Sequence, residues 1–155
     1  MKALIIFDSY FGNTDQVARA VGRGLEPQAQ VEIRHVEAVK PAHIQGVDLL
    51  VIGSPTRAFK PTKALTDFLK SLPKGSLKGV CVAAFDTRIS AKDIHSAVGR
   101  FFVGTFGYAA DPIASLLKKK GGSLTLPPEG FIVMDSEGPL KEGELERAAE
   151  WVKSI

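Results

Sequence analysis

Lys2-Ala3-Leu4-Ile5-Ile6-Phe7-Asp8-Ser9-Tyr10-Phe11-Gly12-Asn13-Thr14 is the stretch that decides the fold. From Ala3 to Phe7 no polar residue interrupts the run, the pattern of a strand buried on both faces. Asp8 ends it, and small polar residues with a glycine follow. Asn13 as cap, Asp15 in the first turn and Gln16 three residues on then mark a helix start. The apolar face of that helix is Val17, Ala18, Val21 and Leu25, and Gly22, Gly24 and Pro27 are expected to end it. A buried strand feeding a helix through a short glycine turn opens an α/β pattern.

The same alternation continues along the chain. Val31 to Val36 alternates apolar and polar residues and reads as a strand near a sheet edge. Leu49-Leu50-Val51-Ile52 is a fully apolar strand stopped by Gly53. Pro61 precedes a helix with Leu65, Phe68, Leu69 and Leu72 on one face, and Val80 to Phe85 is the next central strand. A helix opened by Ser90 is expected to carry Ile94, Val98, Phe101 and Phe102 until Gly107 interrupts it. Asp111-Pro112 starts another with Ile113, Leu116 and Leu117, stopped by Gly121-Gly122. Leu124 to Leu126 and Phe131 to Met134 read as two pieces of the last strand, split by Pro127-Pro128. Leu145, Ala148, Ala149 and Val152 form the face of a final helix. Strands alternating with amphipathic helices imply a parallel sheet covered on both sides. Ligands of such sheets bind beyond the carboxyl ends of the strands, so the loops after Asp8, Gly53 and Phe85 are the ones to read.

Composition narrows the class. The 155 residues fit one domain, 1–155, large enough to bury a core without disulfides or metals. Hydrophobic residues make up 45% and charged residues 24%, as in a globular protein in water. No stretch reaches the roughly 18 to 20 apolar residues of a membrane span. The basic and then apolar N-terminus stops at Asp8 with no small-residue cleavage site, so it reads as a strand rather than an export signal. The single cysteine, Cys81, suits a reducing cytoplasm. A net charge of +3 is mild, and the Lys118-Lys119-Lys120 triplet sits where cations favour a helix C-terminus. No basic stripe with interleaved aromatics suggests nucleic acid.

The first loop carries the most chemistry. In Ser9-Tyr10-Phe11-Gly12-Asn13-Thr14, hydroxyls and a glycine let backbone N–H groups converge on an anion at a helix N-terminus. The loop holds no lysine or arginine, so binding there rests on neutral donors and suits a phosphate monoester. A nucleoside triphosphate would call for G-x-x-x-x-G-K-[ST], which is absent.

These residues resemble those of a known family. Ser9-Tyr10-Phe11-Gly12-Asn13-Thr14 after an apolar first strand is similar to the phosphate loop of flavodoxins, S/T-x-T-G-x-T. Gly53-Ser54-Pro55-Thr56 is similar to their second flavin loop, and the last helix, entered through Glu137-Gly138-Pro139-Leu140, resembles that of short flavodoxin-like proteins. The resemblance runs over nearly the whole chain. It implies a flavodoxin-like, doubly wound, five-stranded parallel sheet of order 2-1-3-4-5 with helices on both faces, and FMN as cofactor. In the second loop, Ser54-Pro55-Thr56-Arg57-Ala58-Phe59, the implied roles are ring stacking for Phe59 and edge hydrogen bonds for Thr56. Arg57 would place positive charge near the ring or reach the phosphate of a second nucleotide. The third loop, Phe85-Asp86-Thr87-Arg88, would offer its backbone to the pyrimidine edge.

Three features depart from the flavodoxin pattern. No tyrosine lies close after the fourth strand, Phe11 replaces a hydroxyl residue, and the net charge is positive. The first two imply weaker or more exposed flavin, and the third argues against assuming a ferredoxin-type docking mode. The apolar segment from Ile89 to Ala110 reads as a core helix, a cover over the flavin or a homodimer surface.

Other readings fail on spacing. Cys81 and Arg88 are one residue too far apart for a C-x5-R phosphatase loop, and Cys81 lies within a strand. A receiver domain needs an aspartate where Gly53-Ser54 stand. His35, His43 and His95 lack metal-ligand spacing, and no Ser-His-Asp set meets at strand ends. The expectation is an FMN-binding redox protein that transfers electrons to a partner protein or small acceptor. A quinone reductase and an interaction module without flavin are the alternatives.

Overall fold

The computed structural model describes residues 1–90, 97–98, 101 and 107–155. Six strands form one parallel sheet: β1 (Lys2–Phe7), β2 (Gln30–His35), β3 (Leu49–Pro55), β4 (Cys81–Ile89), β5 (Ser123–Leu124) and β6 (Glu129–Val133). Four α-helices join them among the described residues: α1 (Asn13–Leu25), α2 (Lys63–Ser71), α3 (Ala110–Lys119) and α4 (Glu144–Trp151). The strand order is β2-β1-β3-β4 with β5 and β6 both on the outer side of β4. β5 pairs with the start of β4, Cys81 opposite Ser123, and β6 with its end, Phe85 opposite Glu129. The two pieces therefore share the fifth position of a 2-1-3-4-5 order, and Pro127-Pro128, which cannot donate to the ladder, separates them.

Side-chain alternation builds two cores. Leu4, Ile6, Leu50, Ile52, Val82 and Ala84 face α2 and α3, where Leu65, Leu69, Ile113 and Leu117 are fully buried. Ala3, Ile5, Leu49, Val51, Ala83 and Phe85 face α1 and α4, meeting Val17, Val21, Leu25, Ala148 and Val152. The continuous apolar strands follow from this, because successive side chains enter different cores and both are dry. β2 is the edge, and its side chains from Val31 to His35 are all half-buried rather than alternately buried and exposed.

Three local features differ from the sequence reading. Gly12, not Asn13, caps α1, and Asn13 is the first helical residue. The helix also runs through Gly22 and Gly24 to Leu25. A Cβ on Gly24 would lie 2.2 Å from the Ala149 carbonyl oxygen, so this glycine admits α4 rather than ending α1. Cys81 opens β4 and is half-buried, not sealed within the strand. The helix expected after Ser90, with its roles as flavin cover or dimer surface, lies mostly outside the described residues. Val98 and Phe101 are described, and both are exposed. Among the described residues no helix is long and apolar enough to cross a membrane.

Candidate functional site

Beyond the carboxyl ends of β1, β3, β4 and β6 lies a cleft of about 310 Å3. Its first wall is the loop between β1 and α1. Gly12 takes φ 90°, a left-handed conformation that glycine adopts without steric cost, and this starts the helix abruptly. The Gly12 N–H donates to Ser9 Oγ at 3.0 Å, which leaves the Ser9 hydroxyl proton for another acceptor. Gln16 is the first α1 residue whose N–H reaches back, to the Gly12 carbonyl at 3.1 Å. The N–H groups of Asn13, Thr14 and Asp15 thus have no acceptor within the helix, and the dipole makes this end attractive to an anion.

The loop is fixed from behind and from the side. Asp8 accepts the Ser9 N–H at 2.9 Å and lies 3.1 Å from His35 Nε2. Asn13 Nδ2 donates to the Glu137 carbonyl at 3.1 Å, tying the loop to the segment after β6. Thr14 and Thr87 share a buried hydroxyl–hydroxyl bond of 2.9 Å between the first and third loops. In such a pair one hydroxyl donates to the other, and the accepting one keeps its own proton for a ligand.

The second wall follows β3. Thr56 donates its N–H to the Thr87 carbonyl at 2.9 Å, and Thr56 Oγ1 accepts the Ala109 N–H at 3.1 Å. A tight turn comes next, closed by reciprocal Arg57 and Lys60 backbone bonds of 2.8 and 2.9 Å. Both central residues, Ala58 and Phe59, have positive φ, 46° and 68°, in a turn that ordinarily favours Asn-Gly. This sends Arg57 towards the first loop, where its guanidinium lies 4.8 Å from the Tyr10 ring centroid and 5.9 Å from that of Phe11. The positive charge missing from the first loop is thus supplied by the second.

The floor is β4. Asp86 is fully buried and takes a bidentate pair from Arg88, Nε to Oδ1 at 2.6 Å and an Nη to Oδ2 at 2.7 Å. It also accepts the Ala110 N–H at 2.8 Å, anchoring the start of α3. Burial raises the Asp86 pKa, and the Arg88 and Ala110 bonds oppose this only in part. The Arg88 guanidinium lies 3.8 Å from the Tyr108 ring centroid, and Tyr108 donates its hydroxyl to the Ile89 carbonyl at 3.1 Å. A tyrosine thus does reach the end of β4, from within the Ile89 to Ala110 segment rather than from directly after the strand.

The sequence-expected residues divide into three groups. Ser9, Tyr10, Phe11, Asn13, Thr14, Pro55, Thr56, Arg57, Ala58, Thr87 and Arg88 line the cleft together. Gly12, Ser54 and Asp86 support it, with Ser54 Oγ accepting the Thr62 N–H at 3.1 Å. The rings of Phe85 and Phe59 point elsewhere. Phe85 packs edge-on against Phe131 and Trp151 in the core, and the positive-φ turn sends Phe59 into a groove on the far side of the loop. Ile89, Val133 and Ser136 also line the cleft but were not singled out from sequence. Their only signal was their place at or after the ends of β4 and β6.

No carboxylate lines the cleft among the described residues, whereas two arginines do. Hydroxyls, helix-end N–H groups and exposed aromatic rings complete it. This donor set fits a flat aromatic ligand bearing a phosphate, and FMN is such a ligand. The volume lies at the lower end of the roughly 300 to 1,000 Å3 usual for small-ligand sites.

Solved structures place this architecture. No family model matches the chain. A flavodoxin from the domain Archaea superposes with a TM-score of 0.79 at 22% identity, over 100% of this chain and 96% of that one. Oxidised flavodoxin 1 from Bacillus cereus gives 0.75 at 19% identity, over 100% and 99%. Rubredoxin oxygen:oxidoreductase from Desulfovibrio gigas gives 0.72 at 16% identity, over 99% of this chain and 35% of that protein. The fold is flavodoxin-like.

Proposed function

We propose that the protein binds FMN non-covalently in the cleft at the strand ends and passes electrons between the flavin and a partner. The observation that carries this is a cleft lined by Arg57, Arg88 and the first turn of α1, with no carboxylate among its described residues. The N–H groups of Asn13 and Thr14, with the Ser9 and Thr14 hydroxyls, would hold the phosphate. Tyr10 and Phe11, 55% and 48% exposed, would lose that exposure against a flat ring and shield it from water. Arg57 and Arg88 add positive charge that favours an electron-rich ligand. Bound FMN would supply one- and two-electron redox chemistry, and the chain would supply the cradle and the field. Pro55, Thr56, Ala58 and Thr87 shape the wall through their backbone and hydroxyls.

Protein purified from cells is expected to be yellow, with a flavin absorption spectrum. Adding FMN to the apoprotein is expected to move the amide NMR signals of Ser9 to Thr14. A colourless protein whose amide signals in this loop ignore FMN would contradict the reading.

A further inference from the structure

On the far side of the Arg57 and Lys60 turn lies a second hollow, an open groove of about 970 Å3 between α2 and α3. Ala58 lines both this groove and the cleft, so one residue separates them. Phe59, Pro61, Pro112 and Leu116 give the groove an apolar floor. Its rim is basic, with exposed Lys60, Lys63, Lys70 and Lys119 set against a single lining carboxylate, Asp67. Asp67 is already held by Lys63 at 2.5 Å. Among the described lining residues the four lysines exceed that carboxylate by three, which gives the groove a local positive field.

We infer that the groove is the docking site for a partner protein that presents an apolar stripe flanked by carboxylates. A helix of that kind lays its apolar face on the floor between α2 and α3 while its acids meet the lysines on either rim. Charge complementarity selects and orients the partner, and burial of Pro112 and Leu116 holds it. The position gives the docking a purpose. A partner seated there contacts the turn whose other side walls the cleft, so it lies one loop away from the flavin. That electron-transfer role rests on the FMN reading, but the docking itself does not.

The test uses FMN-free and FMN-loaded protein side by side. The probe is a fluorescein-labelled amphipathic peptide with leucines on one helical face and glutamates on the flanks. Anisotropy is expected to show saturable binding to both forms that weakens with salt. A scrambled peptide of the same composition is expected to bind at least about tenfold more weakly, because charge alone is not the determinant. Lys63→Glu with Lys119→Glu should weaken binding by about tenfold or more, and Lys63→Arg with Lys119→Arg should retain it. Equal binding of ordered and scrambled peptides, or indifference to the charge reversal, would overturn the proposal. So would a peptide that fails to bind while phosphatidylserine vesicles do, which would assign the groove to a membrane surface. Concentration-dependent dimerisation lost in the same Lys→Glu variant would assign it to a second copy of this chain and equally overturn it. Peptide binding by protein that refuses FMN would sink the redox reading and leave the groove intact.

Discussion

The two hollows beside the Arg57 and Lys60 turn are made of opposite materials. The cleft is built from strand ends, with helix-terminal N–H groups, the buried Thr14 and Thr87 hydroxyl pair and Arg88 held by buried Asp86. The groove is built from side chains of the turn and of two helices, with an apolar floor and a rim of exposed lysines. In the cleft, each polar group is placed by another, so a substitution propagates. In the groove, the lysines are exposed and, among the described residues, only Lys63 is paired, with Asp67 across one turn of α2, so a substitution changes charge and at most one surface ion pair. On the proposals above, the difference separates a site that would position a ligand from a surface that would attract a partner, and it sets the order of effects expected from mutation.

Asp86→Ala should be the most costly change. It strips Arg88 and the Ala110 N–H of their shared acceptor, and breaking such a buried pair costs about 3–5 kcal/mol, readable by urea unfolding. The pH dependence has a defined sign. Because burial raises the Asp86 pKa, the folded chain holds that proton more tightly than the unfolded chain does. Its stabilising contribution is full below the ordinary carboxylate value of 3.8 and falls as pH rises through the raised value. Asp86→Asn should remove that fall. Glu144 provides the contrast. Burial pushes its pKa up, but bonds from Arg147 and the Ile132 N–H outweigh burial and leave it lowered. Its contribution is present above the ordinary value and is lost as pH falls through the lowered one, so Glu144→Gln should flatten the acid limb of the stability curve.

Thr14→Val comes next. It leaves the buried Thr87 hydroxyl without its partner, at a cost of about 1–3 kcal/mol. Adding Thr87→Val should cost less than the sum of the two single changes, as a double-mutant cycle would show. Gly12→Ala should cost about 1–2 kcal/mol by forcing a side chain into the left-handed region, and it should also weaken FMN binding by displacing the α1 N-terminus. The smallest effect belongs to the groove. Lys63→Glu with Lys119→Glu should change stability and FMN binding free energy by no more than about 0.5 kcal/mol each. A large loss of FMN affinity in that variant would mean that the two hollows are not independent.

The legible parts of this fold were those fixed by local signals. The buried strands announced themselves because both faces are dry, and the split last strand did so because two prolines interrupt it. The position of the first loop, between a buried strand and a helix start, was legible because a glycine and small polar residues follow the apolar run. What was not legible depends on residues distant in sequence or on a dihedral angle. Gly24 looked like a helix stop, but only the approach of Ala149 reveals it as a packing contact. Asn13 looked like a cap, but Gly12 takes that role and frees the Asn13 side chain for Glu137. The ring of Phe59 was expected over the flavin, and the positive φ of its turn directs it into the groove. The groove itself was hidden because Lys119 reads locally as a helix-end cation, and only the packing of α3 beside α2 sets it opposite Lys63.

The most direct test is a fluorescence titration of the apoprotein with FMN and, in parallel, with riboflavin, which lacks the phosphate. If the α1 N-terminus and its hydroxyls hold a phosphate, FMN fluorescence should be quenched stoichiometrically. Riboflavin should then bind at least about tenfold more weakly, the loss expected for charge-assisted hydrogen bonds. No quenching by either ligand, or equal affinity for both, would contradict the account.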